Sequence, residues 1–368
     1  MADIKEYRRR IEYCTYCPKM CRFACPVAQA EKRETVHPTS KMTLLHLINE
    51  GALPWSREVA DTIYRCSGCL ISRTFCEHKI EVFPPFVAAR EEAVRRGLAP
   101  ERVMEQDKVV RQHHNPYGEN LGRKLDGNVP TRLVRRDADV LFFVGCATTQ
   151  FYDRHIKAAI KLFEAVGADF GVYVDDYLCC GYPSYSLGHR KSFEEIACAV
   201  AERIGKAPTI VTVCPTCAST LRDVYPGAGA KLNGKVLHIS QYLHPYLKSG
   251  RLKLRKTAGR VLYHDPCHLG RYLGAYDEPR DLLREACAEL IEFPWSREES
   301  QCCGGGGGLL LAARDTSREI LRIRAEFARE IKPDILASAC PTCDRSLEHG
   351  WEKKRVLDLT RILADSLL

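Results

Sequence analysis

The sequence lacks the features that would place the chain in a membrane or outside the cell. Its 368 residues contain no uninterrupted apolar stretch of about 20 residues, the length that a bilayer-spanning helix needs. The first residues, 1–6, do not lead from a basic segment into an apolar one, as a secretory signal would. We therefore expect a cytoplasmic protein with no transmembrane segment, which associates with a membrane only through a partner.

The sequence also lacks a basic stripe, although its formal net charge is +8. Lys and Arg are interspersed with Asp and Glu, and no basic cluster alternates with aromatic residues as in a nucleic-acid-binding surface. We therefore expect no nucleic-acid partner. The hydrophobic fraction of 45% and the charged fraction of 28% are those of an ordinary folded chain, long enough for two or three domains.

Cysteine is the residue present in excess. The chain has 19 cysteines, more than buried free thiols account for in a protein of this length. In a reducing compartment, clustered cysteines bind metal or act in redox chemistry, and the odd total argues against a closed disulfide framework. Only Cys198 and Cys287 stand apart, each on a helical pattern, and we expect both to be buried structural thiols.

Ten of the cysteines form an internal repeat. The first unit has the spacing C-x32-CC-x33-C-x2-C and the second has C-x34-CC-x36-C-x2-C. The first unit contains Cys146, Cys179, Cys180, Cys214 and Cys217, and the second contains Cys267, Cys302, Cys303, Cys340 and Cys343. Five cysteines that recur in one order with nearly equal gaps indicate two similar structural units.

The segments around these cysteines predict two parallel α/β sheets. Short apolar runs at 140–144, 209–213, 260–264 and 334–339 are typical of buried parallel strands. Helical patterns at 155–166, 193–204, 279–288 and 317–331 lie between them. Strand–helix alternation implies a parallel sheet in each unit, with the cysteines at the edge where ligands bind in such folds.

Glycines follow the paired cysteines of both units. Gly181 comes after Cys180, and a run of five glycines at 304–308 comes after Cys303. Glycine lets the backbone approach a bulky inorganic centre, and its N–H groups stabilise thiolates. We therefore expect Gly181, Gly304 and Gly305 to help bind a cofactor. The run lacks the Gly-Lys-Ser/Thr ending of a phosphate-binding loop.

The remaining seven cysteines lie in two runs near the N-terminus. The first run is Cys14, Cys17, Cys21 and Cys25, followed by proline, and the second is Cys66, Cys69 and Cys76. Paired C-x2-C-x2-C-x3-C-P runs bind two 4Fe–4S clusters, and the fourth cysteine of each run crosses to the other cluster. On that rule Cys14, Cys17, Cys21 and Cys76 make one complete cubane 4Fe–4S site.

The second N-terminal site is one thiolate short. Its cysteines are Cys25, Cys66 and Cys69, and Ser72 occupies the position of the missing one. The site is therefore a serine-ligated 4Fe–4S cluster, a 3Fe–4S cluster, or a cluster completed by His78 or Glu77. The alternative for the first run is a structural zinc on its four cysteines, but zinc sites rarely continue into a second run with ferredoxin spacing.

These patterns together predict an α+β multi-domain fold. Residues 1–100 have helical patterns at 40–50 and 86–96 and few strand signals, which predicts an all-α ferredoxin-like iron–sulfur domain. Turn residues at 115–118 and 126–130 mark a linker at 101–138. Two similar α/β domains with parallel sheets follow at 139–252 and 253–368.

The doubled cysteine motif is similar to the Cys-Cys-Gly (CCG) domain pair of the catalytic subunit of heterodisulfide reductase. The segments 264–268 (HDPCH), 302–304 (CCG) and 340–343 (CPTC) carry the resemblance. With the ferredoxin-like region ahead of it, the chain resembles the fused form of that enzyme. It also resembles the iron–sulfur subunits of glycolate, lactate and anaerobic glycerol-3-phosphate dehydrogenases.

The resemblance implies a cofactor set and a reaction. Each five-cysteine group would bind a non-cubane 4Fe–4S cluster, and a disulfide or related acceptor would be reduced between the two. Electrons would arrive singly from the ferredoxin-type clusters. His264 and His268 flank Cys267 and would supply protons, or else orient the backbone and the cluster sulfurs through hydrogen bonds.

A second interpretation is a pure electron relay without a substrate site of its own. Such a subunit would serve a flavin dehydrogenase, an electron-transfer flavoprotein or a benzoyl-CoA-reductase-type complex. The sequence has no flavin or nucleotide fingerprint, so in both cases we expect electrons from another chain, either a flavin-containing or a ferredoxin-like donor. A third interpretation, a zinc protein without catalysis, does not fit the five-cysteine spacing.

Overall fold

The computed structural model describes residues 3–351 and 355–368. Its N-terminal part contains helices and no strand before residue 140 in the described chain. The helices are α1 Arg8–Thr15, α2 Pro26–Glu31, α3 Pro38–Asn49, α4 Arg57–Tyr64, α5 Ile71–Thr74, α6 Phe83–Arg95, α7 Glu101–His113 and α8 Leu121–Asp126. The predicted all-α character of the N-terminal region is confirmed.

The first α/β unit follows. Its elements are β1 Val140–Phe142, α9 Cys146–Phe151, α10 Asp153–Ala165, β2 Phe170–Val172, α11 Tyr182–Leu187, α12 Arg190–Ile204, β3 Thr209–Thr212, α13 Pro215–Ser219, β4 Lys235–His238 and α14 Ile239–Lys248. The sheet has the order β2-β1-β3-β4, and all its pairings are parallel.

The second α/β unit repeats this topology. Its elements are β5 Ala258–Tyr263, α15 Asp277–Ala286, β6 Cys287–Glu292, α16 Leu309–Ala312, α17 Arg314–Ile331, β7 Ile335–Ser338, α18 Pro341–Gly350, β8 Arg355–Asp358 and α19 Leu359–Asp365. The order β6-β5-β7-β8 is again wholly parallel. The predicted fold class, a helical region followed by two parallel α/β units, is therefore confirmed.

The two α/β units share one apolar core. Helix α10 packs against α19, and α14 packs against α15, so buried side chains of both sheets belong to a single cluster. In the part of the chain that the structure describes, no helix has the length and hydropathy needed to cross a membrane.

Three local expectations differ from the structure. Cys287 is buried but begins strand β6 instead of continuing a helix. Cys198 lies on α12 as expected, but it is exposed, because that helix turns Phe193, Ala197 and other apolar side chains to the core and Cys198 away from it. Residues 101–138, expected as a linker, include helices α7 and α8.

Candidate functional site

The first five-cysteine group lies at the carboxyl edge of its sheet. Strands β1 and β3 end just before Cys146 and Cys214, and each cysteine stands at the start of a helix. The Sγ atoms of Cys146 and Cys179 are 3.4 Å apart. Cys217 contacts both Cys180 and Cys214 through its side chain. The structure thus brings together all five predicted cysteines, and all are buried.

The second group has the same arrangement. The Sγ atoms of Cys303 and Cys343 are 3.4 Å apart. The side chain of Cys267 contacts that of Cys302, and Cys340 contacts Cys343. Four of these cysteines are buried and Cys267 is partly exposed.

The cysteine groups also touch one another. Cys214 and Cys340, which occupy equivalent positions in the two units, are in side-chain contact. Cys69 of the N-terminal region is in side-chain contact with Cys302 of the second unit. Neither contact follows from the spacing within a group, and together they join three parts of the chain through neighbouring sulfur atoms.

The first N-terminal cysteine group surrounds a cavity of about 720 Å³. The cavity is lined by Cys14, Cys17, Cys21 and Cys76, which are the four cysteines that the crossing rule assigns to one site. Cys76 therefore lies with the first run although it belongs to the second.

The second N-terminal group consists of three neighbouring cysteines. Cys25 lies close enough to Cys66 and Cys69 for their charges to interact, and it is the only member from the first run. Ser72, Glu77 and His78 all line the cavity of the Cys14 group, where the ring of His78 stacks on that of Tyr13 at 5.2 Å.

The donor set fits iron–sulfur clusters. Burial raises the pKa of Cys14 to about 12 and those of Cys21 and Cys25 to about 11, so these crowded side chains are thiols unless a metal displaces the proton. All 19 cysteines are free. Soft thiolate ligands grouped in fours and fives are the donors that iron–sulfur clusters use.

Two buried arginines support the same fit. Nη2 of Arg324 and Nη2 of Arg271 have no hydrogen-bond partner among the described residues, although both side chains are buried. Arg324 lies near Cys302, Cys303 and Cys343. A buried N–H of a charged guanidinium without an acceptor is costly, and an anionic cluster held by these thiolates would offset that cost.

Backbone N–H groups point at the cysteines of the second unit. The N–H of Gly304 donates to Sγ of Cys302 at 3.3 Å, and that of Gly305 donates to Cys303. Gly304 has φ +83°, and a Cβ there would lie 2.6 Å from the carbonyl oxygen of Ser317. The position therefore admits only glycine, and the thiolate-stabilising N–H groups depend on it.

Gly181 has the corresponding role in the first unit, where its N–H donates to Cys179.

The end of the glycine run approaches protein backbone, not the inorganic centre expected from the sequence. A Cβ at Gly307 would lie 2.4 Å from the carbonyl carbon of Ser67, so the run admits the backbone of the N-terminal region. The close packing of this region against the second unit depends on that glycine.

A cavity of about 1250 Å³ opens between the two α/β units. Its lining includes neighbours of the cysteines in both units. Ala147, Tyr182 and Thr216 come from the first unit, and Gly305 and Thr342 come from the second. Cys303 itself also lines the cavity. A molecule in this space would contact Cys303 of the second group and residues next to cysteines of both groups.

The two histidines proposed from the sequence are buried beside the cysteines and do not line this cavity. Nδ1 of His264 accepts a hydrogen bond from Nε of Arg324 at 3.3 Å. A ring nitrogen of His264 lies within 4.8 Å of the sulfurs of Cys303 and Cys343. Burial, with the charge of Arg324, lowers the pKa of His264 to about 3, so this ring is neutral at neutral pH.

His268 is linked to the cavity through one side chain. Its Nδ1 lies 2.7 Å from Oγ of Ser219, and its Nε2 lies 3.3 Å from the hydroxyl of Tyr182, which lines the cavity. Burial lowers the pKa of His268 to about 4. Sequence reasoning did not identify Tyr182, although its position directly after the Cys-Cys-Gly turn was a usable signal.

Comparison with known protein families supports the assignment of these regions to iron–sulfur domains. The family described as "Cysteine-rich domain" (CCG) matches residues 140–222 and 261–348, and the "4Fe-4S dicluster domain" matches residues 10–80. The resemblance inferred from the cysteine spacing is confirmed, and so is the presence of iron–sulfur chemistry.

Three relatives show the range of proteins to which the chain is similar. A subunit of dihydromethanophenazine:CoB–CoM heterodisulfide reductase from Methanosarcina barkeri is 28% identical, over 84% of this chain and 79% of the relative. EtfAB:quinone oxidoreductase of Syntrophomonas wolfei is 27% identical, over 83% of this chain and 46% of the relative. A subunit of fumarate reductase (CoM/CoB) from Methanothermobacter marburgensis is 26% identical, over 82% of this chain and 60% of the relative.

Proposed function

The chain belongs to the iron–sulfur oxidoreductase subunits that carry a 4Fe–4S dicluster domain ahead of two CCG domains, and on this premise we propose that it reduces a disulfide in the cavity between the CCG domains. The observation that carries the proposal is the position of that cavity. Cys303 and residues adjacent to cysteines of both units line it, so a disulfide bound there would lie next to both cysteine groups. Both groups keep all five cysteines.

The proposed cofactors follow the four cysteine groups. Each CCG domain holds a non-cubane 4Fe–4S cluster, and Cys14, Cys17, Cys21 and Cys76 hold a cubane. Cys25, Cys66 and Cys69 hold a fourth cluster, and a 3Fe–4S cluster is favoured because Ser72, Glu77 and His78 line the other N-terminal cavity. When bound, these groups supply one-electron redox chemistry. With a 3Fe–4S cluster at the fourth site, the proposed total is about 15 iron atoms per chain.

The reaction consumes two electrons and two protons, since R–S–S–R′ becomes R–SH and R′–SH. The electrons come from a second redox subunit, flavin-containing or ferredoxin-like. Two sulfur contacts support a short route across the chain, Cys69 with Cys302 and Cys214 with Cys340. The iron–sulfur relatives include named subunits of multi-subunit enzymes, which supports a redox partner.

Tyr182 is the proposed source of a proton in the cavity. Desolvation raises the pKa of its buried hydroxyl well above the usual value, so the hydroxyl is protonated at neutral pH. His268 positions this hydroxyl through Nε2 and is itself held by Ser219. His264 accepts a hydrogen bond from Arg324 and acts as a positioning residue beside Cys303.

The test is turnover of a disulfide by the iron-loaded protein, purified without oxygen. With reduced viologen as the electron donor, we expect two viologen molecules to be oxidised for each disulfide consumed, with two thiols as product. If the protein takes up electrons from viologen and passes them to a one-electron dye but reduces no disulfide, the relay function takes its place. The similarity to EtfAB:quinone oxidoreductase supports that second function.

A further inference from the structure

Three ionisable side chains meet where the two CCG domains pack together. His155 lies on α10 of the first domain, Asp344 lies on α18 of the second, and Asp358 ends β8 at the start of α19. All three residues are at most 4% exposed. One nitrogen of the histidine and one oxygen of each carboxylate lie within 4.8 Å of one another. None of the three lines the cavity between the CCG domains, so they form a separate group.

Two atoms of this group lack a hydrogen-bond partner. Nδ1 of His155 and Oδ2 of Asp344 are both buried without one among the described residues. These atoms are 4.0 Å apart, which is too far for a hydrogen bond. Zinc binds imidazole nitrogen and carboxylate oxygen at about 2.0–2.2 Å, so the gap leaves room for an ion between them.

Neighbouring hydroxyl and N–H groups hold the two carboxylates in one orientation. Oγ of Ser338 donates to Oδ1 of Asp344 at 2.6 Å. The N–H of Thr360 donates to Oδ1 of Asp358 at 2.8 Å, and the hydroxyl of Thr360 donates to the same oxygen. Such outer hydrogen bonds orient the ligands in metal sites. In Asp344 they leave Oδ2 available for an ion.

The negative charges of the group are not balanced by a cation. Among the described residues, neither Asp344 nor Asp358 forms a salt bridge with lysine or arginine, and Asp344 meets only His155, at 4.0 Å. Burial lowers the pKa of His155, so its ring is neutral at neutral pH and can bind a metal. Two buried carboxylates without a cation are costly, whereas one divalent ion would balance both charges.

The related junction of the repeat has no such gap. Helix α10 packs against α19, the last helix of the second domain, and α15 packs against α14, the last helix of the first. At the α14–α15 junction, Nε2 of His244 lies 2.9 Å from Oδ2 of Asp281. Nζ of Lys248 lies 2.7 Å from the same oxygen. Direct ion pairs therefore close that junction, while the junction at His155 has space and charge for a metal ion.

We propose that His155, Asp344 and Asp358 bind one zinc ion through an imidazole nitrogen and two carboxylate oxygens. Histidine and aspartate are ligands that zinc takes in proteins. The ion joins α10 of the first CCG domain to α18 and α19 of the second. Because Asp344 directly follows Cys343, the ion also fixes the start of the helix beside the second cysteine group. This site is additional to the proposed function and does not depend on it.

Anomalous X-ray scattering from the iron-loaded protein, produced with zinc in the growth medium, tests the site directly. Maps calculated from data above and below the zinc absorption edge distinguish zinc from iron. We expect a zinc peak between His155 and Asp344, and elemental analysis should give about one zinc ion per chain beside the full iron content. An iron-loaded protein without zinc would overturn the proposal. A zinc peak found only at a cysteine group would do the same.

Variants supply the matched comparison in solution. His155→Gln and Asp358→Asn should each lower the zinc content at least tenfold and leave the iron content unchanged. His244→Gln, at the junction with direct ion pairs, should retain both metals. Equal zinc in His155→Gln and His244→Gln would count against the assigned ligands. If His155→Gln does not fold, the anomalous map of the parent protein decides.

Thermal unfolding supplies a further readout without turnover. Protein produced in zinc-depleted medium should unfold at a higher temperature after one equivalent of zinc chloride is added, because the ion binds only the folded state. His244→Gln should show the same increase and Asp358→Asn should show none. An equal increase in all three proteins would mean that zinc binds elsewhere, and the proposal would be wrong.

Discussion

Nη1 of Arg90 donates a hydrogen bond to the carbonyl oxygen of Gly307 at 2.7 Å, although 217 residues separate them. The guanidinium is wholly buried and also donates to the carbonyl oxygens of Ser186 at 2.6 Å, Cys66 at 2.9 Å and Tyr64 at 3.2 Å. One side chain on α6 thus joins the N-terminal region to both CCG domains. These hydrogen bonds therefore help to hold the cysteine groups of the three regions in position relative to one another.

Replacing Arg90 with methionine should therefore destabilise the whole assembly. Arg90→Met leaves several buried carbonyl groups without a donor, and we expect a loss of about 3–5 kcal/mol in the free energy of unfolding. Thermal unfolding of the iron-loaded protein, followed by circular dichroism, would measure it. Arg57→Met changes an exposed arginine and should have little effect. Similar midpoints for the two variants would contradict the assigned role of Arg90.

Cysteine variants test the ligand groups through the iron content. Cys340→Ala removes a thiol from the second CCG group at its junction with the first, and we expect a loss of about four iron atoms per chain. Iron analysis and EPR of the anaerobically prepared protein would show the loss. Cys198→Ala, at an exposed cysteine outside the groups, should retain the full content. Equal iron in both variants would remove Cys340 from the ligand set.

A variant at Ser72 tests whether the incomplete N-terminal site uses this side chain as a fourth ligand. Because Ser72 lines the cavity of the Cys14 group, we expect Ser72→Ala to leave unchanged the iron held by Cys25, Cys66 and Cys69. EPR of the oxidised protein should show a three-iron signal in both the parent and the variant. Loss of iron from this site in Ser72→Ala would instead identify the serine as a ligand.

Tyr182→Phe isolates the proposed proton donor. The substitution removes the hydroxyl that meets Nε2 of His268 but keeps the ring that lines the cavity. We expect the turnover number for disulfide reduction to fall about a hundredfold, within the range of general acid catalysis, with little change in KM. The iron content should be unaffected. Tyr185→Phe serves as the control, because Tyr185 lies nearby without lining the cavity.

A steeper pH dependence would distinguish proton donation by Tyr182 from a purely structural role. Loss of the hydroxyl should make turnover depend on protons from the solvent, so the rate in Tyr182→Phe should fall with rising pH more steeply than in the parent. An identical pH profile at a reduced rate would indicate that the hydroxyl only orders the cavity.

Gly304→Ala tests the close approach behind the paired cysteines. The added Cβ would meet the carbonyl oxygen of Ser317 at 2.6 Å and force alanine to adopt φ +83°. We expect loss of the iron bound by the second CCG group, measured by iron analysis. Gly250→Ala is the matched control, since its φ is +73° but nothing lies within 4 Å of the added atom. That variant should lose about 1 kcal/mol of stability from backbone strain and no iron.

Much of the fold was predictable because its signals are local. Apolar runs at 140–144 and 209–213 lie where β1 and β3 form, and the alternation with helical patterns correctly indicated parallel sheets. The predicted end of the helix at 279–288 was wrong. Its last residues, from Cys287 on, belong to strand β6, which pairs with β5. The predicted burial of Cys198 was also wrong, because its exposure depends on which face of α12 packs against the sheet.

The sequence by itself determined the grouping of the cysteines, the repeat and the class of the domains, because spacing and periodicity are local properties of the sequence. Only the tertiary structure decided which cysteine groups are in contact, namely Cys69 with Cys302 and Cys214 with Cys340. It also decided that Ser72 lines the cavity of the Cys14 group. These relations depend on how α10 and α14 pack against α19 and α15 and on the carbonyls that Arg90 binds. Such contacts join residues that are far apart in the sequence, and no local pattern encodes them.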